Sequence, residues 1–118
     1  MGKRPDGQLE YDVLRVLWAA DGSLSPAEVG EHLDLGLAYT TVATVLTRLH
    51  AKGLVERDPV GRAFVYRAVV DESEFAIRRI DDVLSATSDR SKVLAHFVRR
   101  LSPREARQIK DLLDSADQ

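Results

Sequence analysis

The sequence predicts a mainly α fold with a small β-hairpin, in which three helices and the hairpin form one domain and further helices follow as a tail. Two observations predict it. Apolar residues recur at helical spacing in six stretches, and the short run rich in Val, Phe and Tyr falls between the third and the fourth. At 118 residues and 13.1 kDa, the chain suits one small domain with an appendage and is too short for two large cores. With 44% hydrophobic and 31% charged residues, the composition is that of a soluble globular protein. The lack of cysteine excludes a disulfide framework, a thiolate zinc site and a cysteine nucleophile. No apolar run approaches the roughly 20 residues of a membrane helix, so no membrane insertion is expected. The opening Met1-Gly2-Lys3-Arg4-Pro5-Asp6-Gly7-Gln8 lacks the apolar stretch of a signal peptide, and a cytoplasmic location is the expectation.

Each element has its own local reason. Leu9, Val13, Val16, Leu17 and Ala20 recur at three, four and seven, with Leu14 and Trp18 widening the stripe, so residues 9–20 read as a helix buried on one side. Lys3 and Arg4 ahead of it are expected to belong to a frayed terminus rather than an arm. Asp21-Gly22 ends the helix. In Leu24-Ser25-Pro26-Ala27-Glu28-Val29, Ser25 can cap a second helix, Pro26 suits its first position, Glu28 can close a capping box and Leu24 can staple onto Val29. That helix should stop near Asp34, before Gly36. A third should run over residues 38–52, closed by Gly53 in the left-handed conformation. Residues 54–58 and 62–69 are then two strands, joined by Asp58-Pro59-Val60-Gly61, a turn by composition. Three helices and a hairpin in this order, within residues 9–70, are the order of a winged helix-turn-helix, so residues 1–70 are expected to form a DNA-binding domain.

From residue 71 the pattern is helical again. Asp71 and Glu74 can cap a helix to about residue 85; Val93, Leu94, Phe97, Val98 and Leu101 mark another. Ser102-Pro103-Arg104-Glu105 repeats the capping-box arrangement ahead of Ala106, Ile109, Leu112 and Leu113. A segment this small rarely supports its own core. Residues 71–118 are therefore expected to make a homodimer through Ile77, Ile80, Leu84, Val93, Leu94, Phe97, Val98, Leu101, Ile109, Leu112 and Leu113. The alternative is that these stripes fold back on the first domain.

Charge singles out the third helix. The net charge is −2, yet residues 38–67 carry Arg48, Lys52, Arg57, Arg62 and Arg67 against Glu56 and Asp58, and residues 35–55 contain no Asp or Glu. A surface that approaches phosphates excludes carboxylates in this way. On a helical wheel Ala38, Val42, Val45, Leu46 and Leu49 share an arc of about 100°, while Thr40, Thr41, Thr44, Thr47, Arg48 and Ala51 share the opposite one. Threonine is a mediocre helix former, so four in one short helix were not placed there for propensity. Their hydroxyls can meet phosphates and their methyls thymine methyls; Arg48 can take guanine O6 and N7 together. The competing reading is that Thr41 and Thr44 merely bond back to helix carbonyls on a solvated surface. The order of elements favours a major-groove reader. Arg57 and Arg62 flank the hairpin turn, and Arg62, beside Gly61, is the better placed to grip backbone. Lys52, beyond the reading face, is expected to contact phosphate.

Four stretches together resemble the penicillinase-repressor (BlaI/MecI) family. They are Leu9-Glu10-Tyr11-Asp12-Val13-Leu14-Arg15-Val16-Leu17-Trp18, then Leu37-Ala38-Tyr39-Thr40-Thr41-Val42-Ala43-Thr44-Val45-Leu46-Thr47-Arg48-Leu49, then Lys52-Gly53-Leu54-Val55 and Gly61-Arg62-Ala63-Phe64-Val65-Tyr66. The resemblance implies a homodimeric winged-helix repressor on double-stranded DNA, at an inverted-repeat operator with TACA and TGTA half-sites. Matched position by position, the family's base and phosphate contacts fall on Thr40, Thr41, Thr44 and Arg48, and its wing contacts near Arg62. Members paired with a membrane sensor protease are cut at an Asn-Phe bond; the matching candidate cleavage site here reads His96-Phe97. The copper-responsive branch uses a cysteine-rich tail that this chain lacks.

An enzyme is the first competitor. His32, His50 and His96 lie on three predicted helices with no partner at catalytic or metal-binding spacing, and Gly36, Gly53 and Gly61 punctuate turns rather than a phosphate loop. No catalytic residue, metal or cofactor is expected. The second competitor is a winged-helix protein-interaction module that does not bind DNA; it would tolerate acids on the third helix, and this helix has none.

Overall fold

The computed structural model describes residues 6–116, so Lys3 and Arg4 lie outside the described residues. Six helices and one hairpin follow in the order α1 (Asp6–Ala19), α2 (Pro26–Leu33), α3 (Tyr39–Ala51), β1 (Val55–Val60), β2 (Ala63–Ala68), α4 (Glu72–Ala86), α5 (Arg90–Arg99) and α6 (Pro103–Ala116). The chain divides into two compact units, Met1–Phe75 and Ala76–Gln118.

The first unit is built on the apolar faces of its three helices. Val13, Leu14 and Leu17 of α1, Val29 of α2, and Val42, Val45, Leu46 and Leu49 of α3 are buried together with Leu54, Val55, Tyr66, Val70 and Phe75. The local stops and starts follow from the sequence. Ser25 and Glu28 close a reciprocal capping box, with Glu28 N–H to Ser25 Oγ at 3.2 Å and Ser25 N–H to Glu28 Oε1 at 2.9 Å. Asp34 ends α2 in the left-handed conformation and donates its N–H to Gly30 O at 3.2 Å. At the end of α3, Gly53 at φ 75° lets its own N–H reach His50 O and the Leu54 N–H reach Leu49 O, both at 3.0 Å. That is the paired closure of a left-handed helix cap, with Leu54 and Leu49 buried over it.

The hairpin corrects the expected turn. Val60 pairs with Ala63, so the turn is Gly61-Arg62, with Gly61 at φ 62°, and Asp58 and Pro59 lie inside β1. The reason Pro59 is tolerated comes from a third, single-residue strand. Leu24 and Tyr66 exchange both backbone hydrogen bonds (2.9 and 2.7 Å) on the far edge of β2. Tyr66 therefore faces Arg57 as a non-hydrogen-bonded pair, and by alternation so does Phe64 facing Pro59, whose missing N–H would have pointed away from the ladder.

The first unit also runs five residues beyond the expected boundary at residue 70, into the first turn of α4. Asp71 Oδ1 caps that turn through the Glu74 N–H at 2.8 Å. Phe75 is buried there, stacked with Tyr11 (centroids 6.1 Å) and edge-on to Trp18 (6.3 Å). Trp18 Nε1 donates to Val70 O at 2.7 Å, and the Tyr11 hydroxyl donates to the Glu72 carboxylate. That bond to Glu72 is the main reason the Tyr11 phenol is raised above its ordinary pKa.

The second unit is entirely helical. Asp89 caps α5 through the Lys92 N–H (3.0 Å), and Ser102 and Glu105 form a second reciprocal box (3.1 and 2.9 Å) at the start of α6. None of its described residues is buried. Ile77, Ile80, Val93, Leu94, Phe97, Val98, Ile109, Leu112 and Leu113 are exposed, and Leu84 and Leu101 half-buried.

Candidate nucleic-acid interface

The candidate site is the outward side of α3 with the hairpin beside it. Val42, Val45, Leu46 and Leu49 anchor α3 in the core, which fixes its rotation and turns Thr40, Thr41, Thr44, Thr47, Arg48 and Ala51 out to solvent. No carboxylate lies on the helix, and its N-cap, Ala38, offers no side-chain acceptor. The partial positive charge at the start of α3 thus has no acidic side chain in the helix's own first turn.

The hydroxyls divide into two pairs. Thr44 Oγ1 donates to Thr40 O at 2.8 Å and Thr47 Oγ1 to Ala43 O at 2.9 Å. The bonding back to helix carbonyls weighed for Thr41 and Thr44 is therefore present at Thr44 and Thr47 instead. Thr40 and Thr41 hydroxyls make no side-chain hydrogen bond among the described residues.

The cations also divide. Arg48 and Arg62 are exposed and form no ion pair among the described residues, Arg62 at the very tip of the hairpin beside Gly61. Arg57 lies 4.2 Å above the Phe64 ring, a cation–π arrangement that holds the guanidinium on the face of the wing while leaving its charge intact. Arg67 is paired across the strands with Glu56. Lys52, expected to contact phosphate, has its ammonium against both carboxylate oxygens of Glu10, at 2.8 and 3.0 Å. Glu10 is buried, so Lys52 balances a carboxylate that α1 carries into the core. A signal for this was present: Glu10 sits three, four and seven residues before Val13, Leu14 and Leu17, on the buried stripe itself.

The remaining candidates lie elsewhere. Ile77 through Leu113, expected at a dimer interface, all fall in the second unit. His96-Phe97 sits inside α5 and is exposed, so the bond is helical rather than extended. His32 bonds Glu28 O through Nδ1 (2.8 Å), and the described residues hold no group of three or more His, Asp or Glu fit for a metal ion. No described helix is long and apolar enough to cross a membrane.

Comparison with known proteins places this arrangement among its relatives. The profile of the family described as Penicillinase repressor matches residues 6–115. The chain is 37% identical over 105 residues to the transcriptional regulator BlaI of Mycobacterium tuberculosis, covering 85% of this chain and 76% of that one. It is 34% identical over 68 residues to the penicillinase repressor of Bacillus licheniformis, covering 56% and 52%. The solution structure of the DNA-binding domain of the repressor BlaI superposes with a TM-score of 0.50 at 33% identity, over 63% of this chain and 93% of that domain.

Proposed function

Because the chain belongs to the penicillinase repressor family, we propose that it is a dimeric, sequence-specific DNA-binding transcriptional repressor of an inverted-repeat operator with TACA/TGTA-like half-sites. In this reading α3 enters the major groove and the wing rests on the backbone. The observation that carries it is the outward face of α3, with four threonines and Arg48 and no carboxylate, on a helix whose other face is the core. The BlaI relatives and the DNA-binding-domain structure support the same reading. Arg62 at the tip and Arg57 on Phe64 supply the backbone contacts of the wing.

The second unit supports the dimer, because most of its apolar side chains are left exposed. A second copy offers the same stripes, and a standard interface needs only about 800 Å² from each partner. Two copies then place two α3 helices in half-sites about one helical turn apart.

Fluorescence anisotropy against duplex from upstream of the protein's own gene and against random duplex, at two salt concentrations, tests the reading. Arg48→Ala weakens operator binding by about 1–3 kcal/mol and narrows the gap to random DNA. Arg62→Ala weakens both alike and lowers the salt slope by about two, because the dimer loses one contact from each protomer. Binding unchanged in both variants leaves the protein-interaction module as the better account. Sedimentation at micromolar concentration showing only a 13.1 kDa species removes the dimer.

A further inference from the structure

The four threonines of α3 are chemically alike, and the structure treats them differently. The Thr44 and Thr47 hydroxyls spend their single proton on the carbonyls one turn back, at 2.8 and 2.9 Å, while Thr40 and Thr41 have no such bond among the described residues. A staggered Cβ carries one oxygen and one methyl beside its hydrogen. Once the oxygen is turned onto the backbone, the methyl is the group left to face outward. Both side chains are exposed, and they stand one turn apart on the side of α3 opposite Val42, Val45 and Leu49.

Resting on the DNA-binding reading, the geometry points to a division of labour: Thr44 and Thr47 read thymine through methyl–methyl contact in the major groove, and Thr40 and Thr41 donate their hydroxyls to phosphate. Three steps lead to this. A donor already engaged in a good hydrogen bond gains little by leaving it for another, because the exchange is nearly neutral. The thymine C5 methyl is the one apolar group on a major-groove base edge, and a threonine methyl is a fitting partner for it. Thr40 and Thr41 belong to the first turn of α3, where backbone N–H groups and helix polarity already favour an anion. Thr44 and Thr47 are thus specificity-determining residues that act by shape, not by hydrogen bonding.

Valine and serine separate the two chemistries. Thr→Val keeps the branched shape and removes the hydroxyl; Thr→Ser keeps the hydroxyl and removes the methyl; both have helix propensities close to threonine. The probe is the operator duplex from the gene's own upstream region, with deoxyuridine replacing thymine one position at a time, read by anisotropy on the full chain. Burying one methyl is worth a factor of about four in affinity. Thr44→Val and Thr47→Val are expected to bind within about twofold of wild type, whereas Thr44→Ser and Thr47→Ser lose about fourfold per half-site. Deoxyuridine at one position costs wild type the same factor and costs the matching serine variant nothing further. In contrast, Thr40→Val and Thr41→Val weaken operator and random duplex alike.

Valine variants that bind worse than serine variants, or wild type indifferent to every deoxyuridine, would overturn the inference while leaving operator binding intact. Wild type with no preference for operator over random duplex would instead overturn the function on which it rests.

Discussion

Lys52→Met is the substitution that best separates a role in the fold from a role on DNA. Lys52 bonds both oxygens of Glu10, whose side chain is 10% exposed, while its own is 54% exposed. Removing the ammonium leaves a carboxylate inside α1's packed face with no counter-charge. Breaking a fully buried pair in this way costs about 3–5 kcal/mol. Here water reaches the lysine end and can replace part of what is lost, so the expected cost is about 2 kcal/mol. In a domain of this size that is a large share of the total stability and lowers Tm by about 8–15 °C. Glu10→Gln alone leaves a lysine that water solvates, and costs under about 1 kcal/mol. The double variant recovers most of the Lys52→Met loss, because a neutral amide needs no counter-ion. Thermal unfolding by circular dichroism measures all three, and anisotropy at two salt concentrations adds the DNA side. The salt slope of Lys52→Met is expected to match wild type, since the ammonium is engaged by Glu10. A slope lower by about two, one contact from each protomer of the proposed dimer, with stability unchanged, refutes the reasoning and returns Lys52 to the backbone contacts.

Other expectations follow from single observations. Phe75→Ala, which empties a buried position between Tyr11 and Trp18, costs about 3–4 kcal/mol and shifts the emission of the chain's one tryptophan; denaturant titration by fluorescence reads both. Because the Tyr11 phenol is raised above 10.0 by its bond to Glu72, its stabilisation is complete below that value and is lost as pH rises through the higher folded pKa; Tyr11→Phe removes this alkaline fall in the denaturation midpoint. Phe97 lies within α5, so a protease reaches the Phe97–Val98 bond only when the helix opens; Ala95→Pro is expected to accelerate chymotryptic cleavage after Phe97, and equal rates in both chains would contradict this.

What the sequence disclosed was mostly local. Ser25 with Glu28, Gly53, Asp71 and Ser102 with Glu105 act on groups within five residues, so their caps could be read directly. The rotation of α3 was legible because periodicity decides which side meets the core. The rest depends on partners far away in the chain. Composition at Asp58-Pro59 signalled a turn, and only the pairing of Leu24 with Tyr66 shows why a proline fits inside β1. Residue 70 looked like a boundary because the strand pattern ends at 69 and the helical pattern resumes at 71, but Phe75 is drawn into the first core by aromatic rings from α1. Which way a threonine hydroxyl points is a rotamer choice that no spacing rule specifies, and Lys52 found its partner 42 residues earlier.

These pairings also set the electrostatics of the site. Over residues 38–67, five cations less two acids give +3. Glu10, outside that window, cancels Lys52 and reduces the effective charge to +2, and Arg67 is spent on Glu56. That leaves Arg48, Arg57 and Arg62 facing outward with Asp58 opposing them, in a chain whose pI is near 5.9. In the proposed dimer, three arginines per protomer bound the salt slope at about five, since each neutralised phosphate contributes about 0.9. If the proposed function holds, a protein with so few phosphate-directed charges is expected to bind random duplex weakly and to draw its operator preference from the base edge, through Arg48 on guanine and the threonine methyls on thymine. A measured slope well above about five would require cations beyond these three, and would move the weight of recognition from the shape of α3 back to charge.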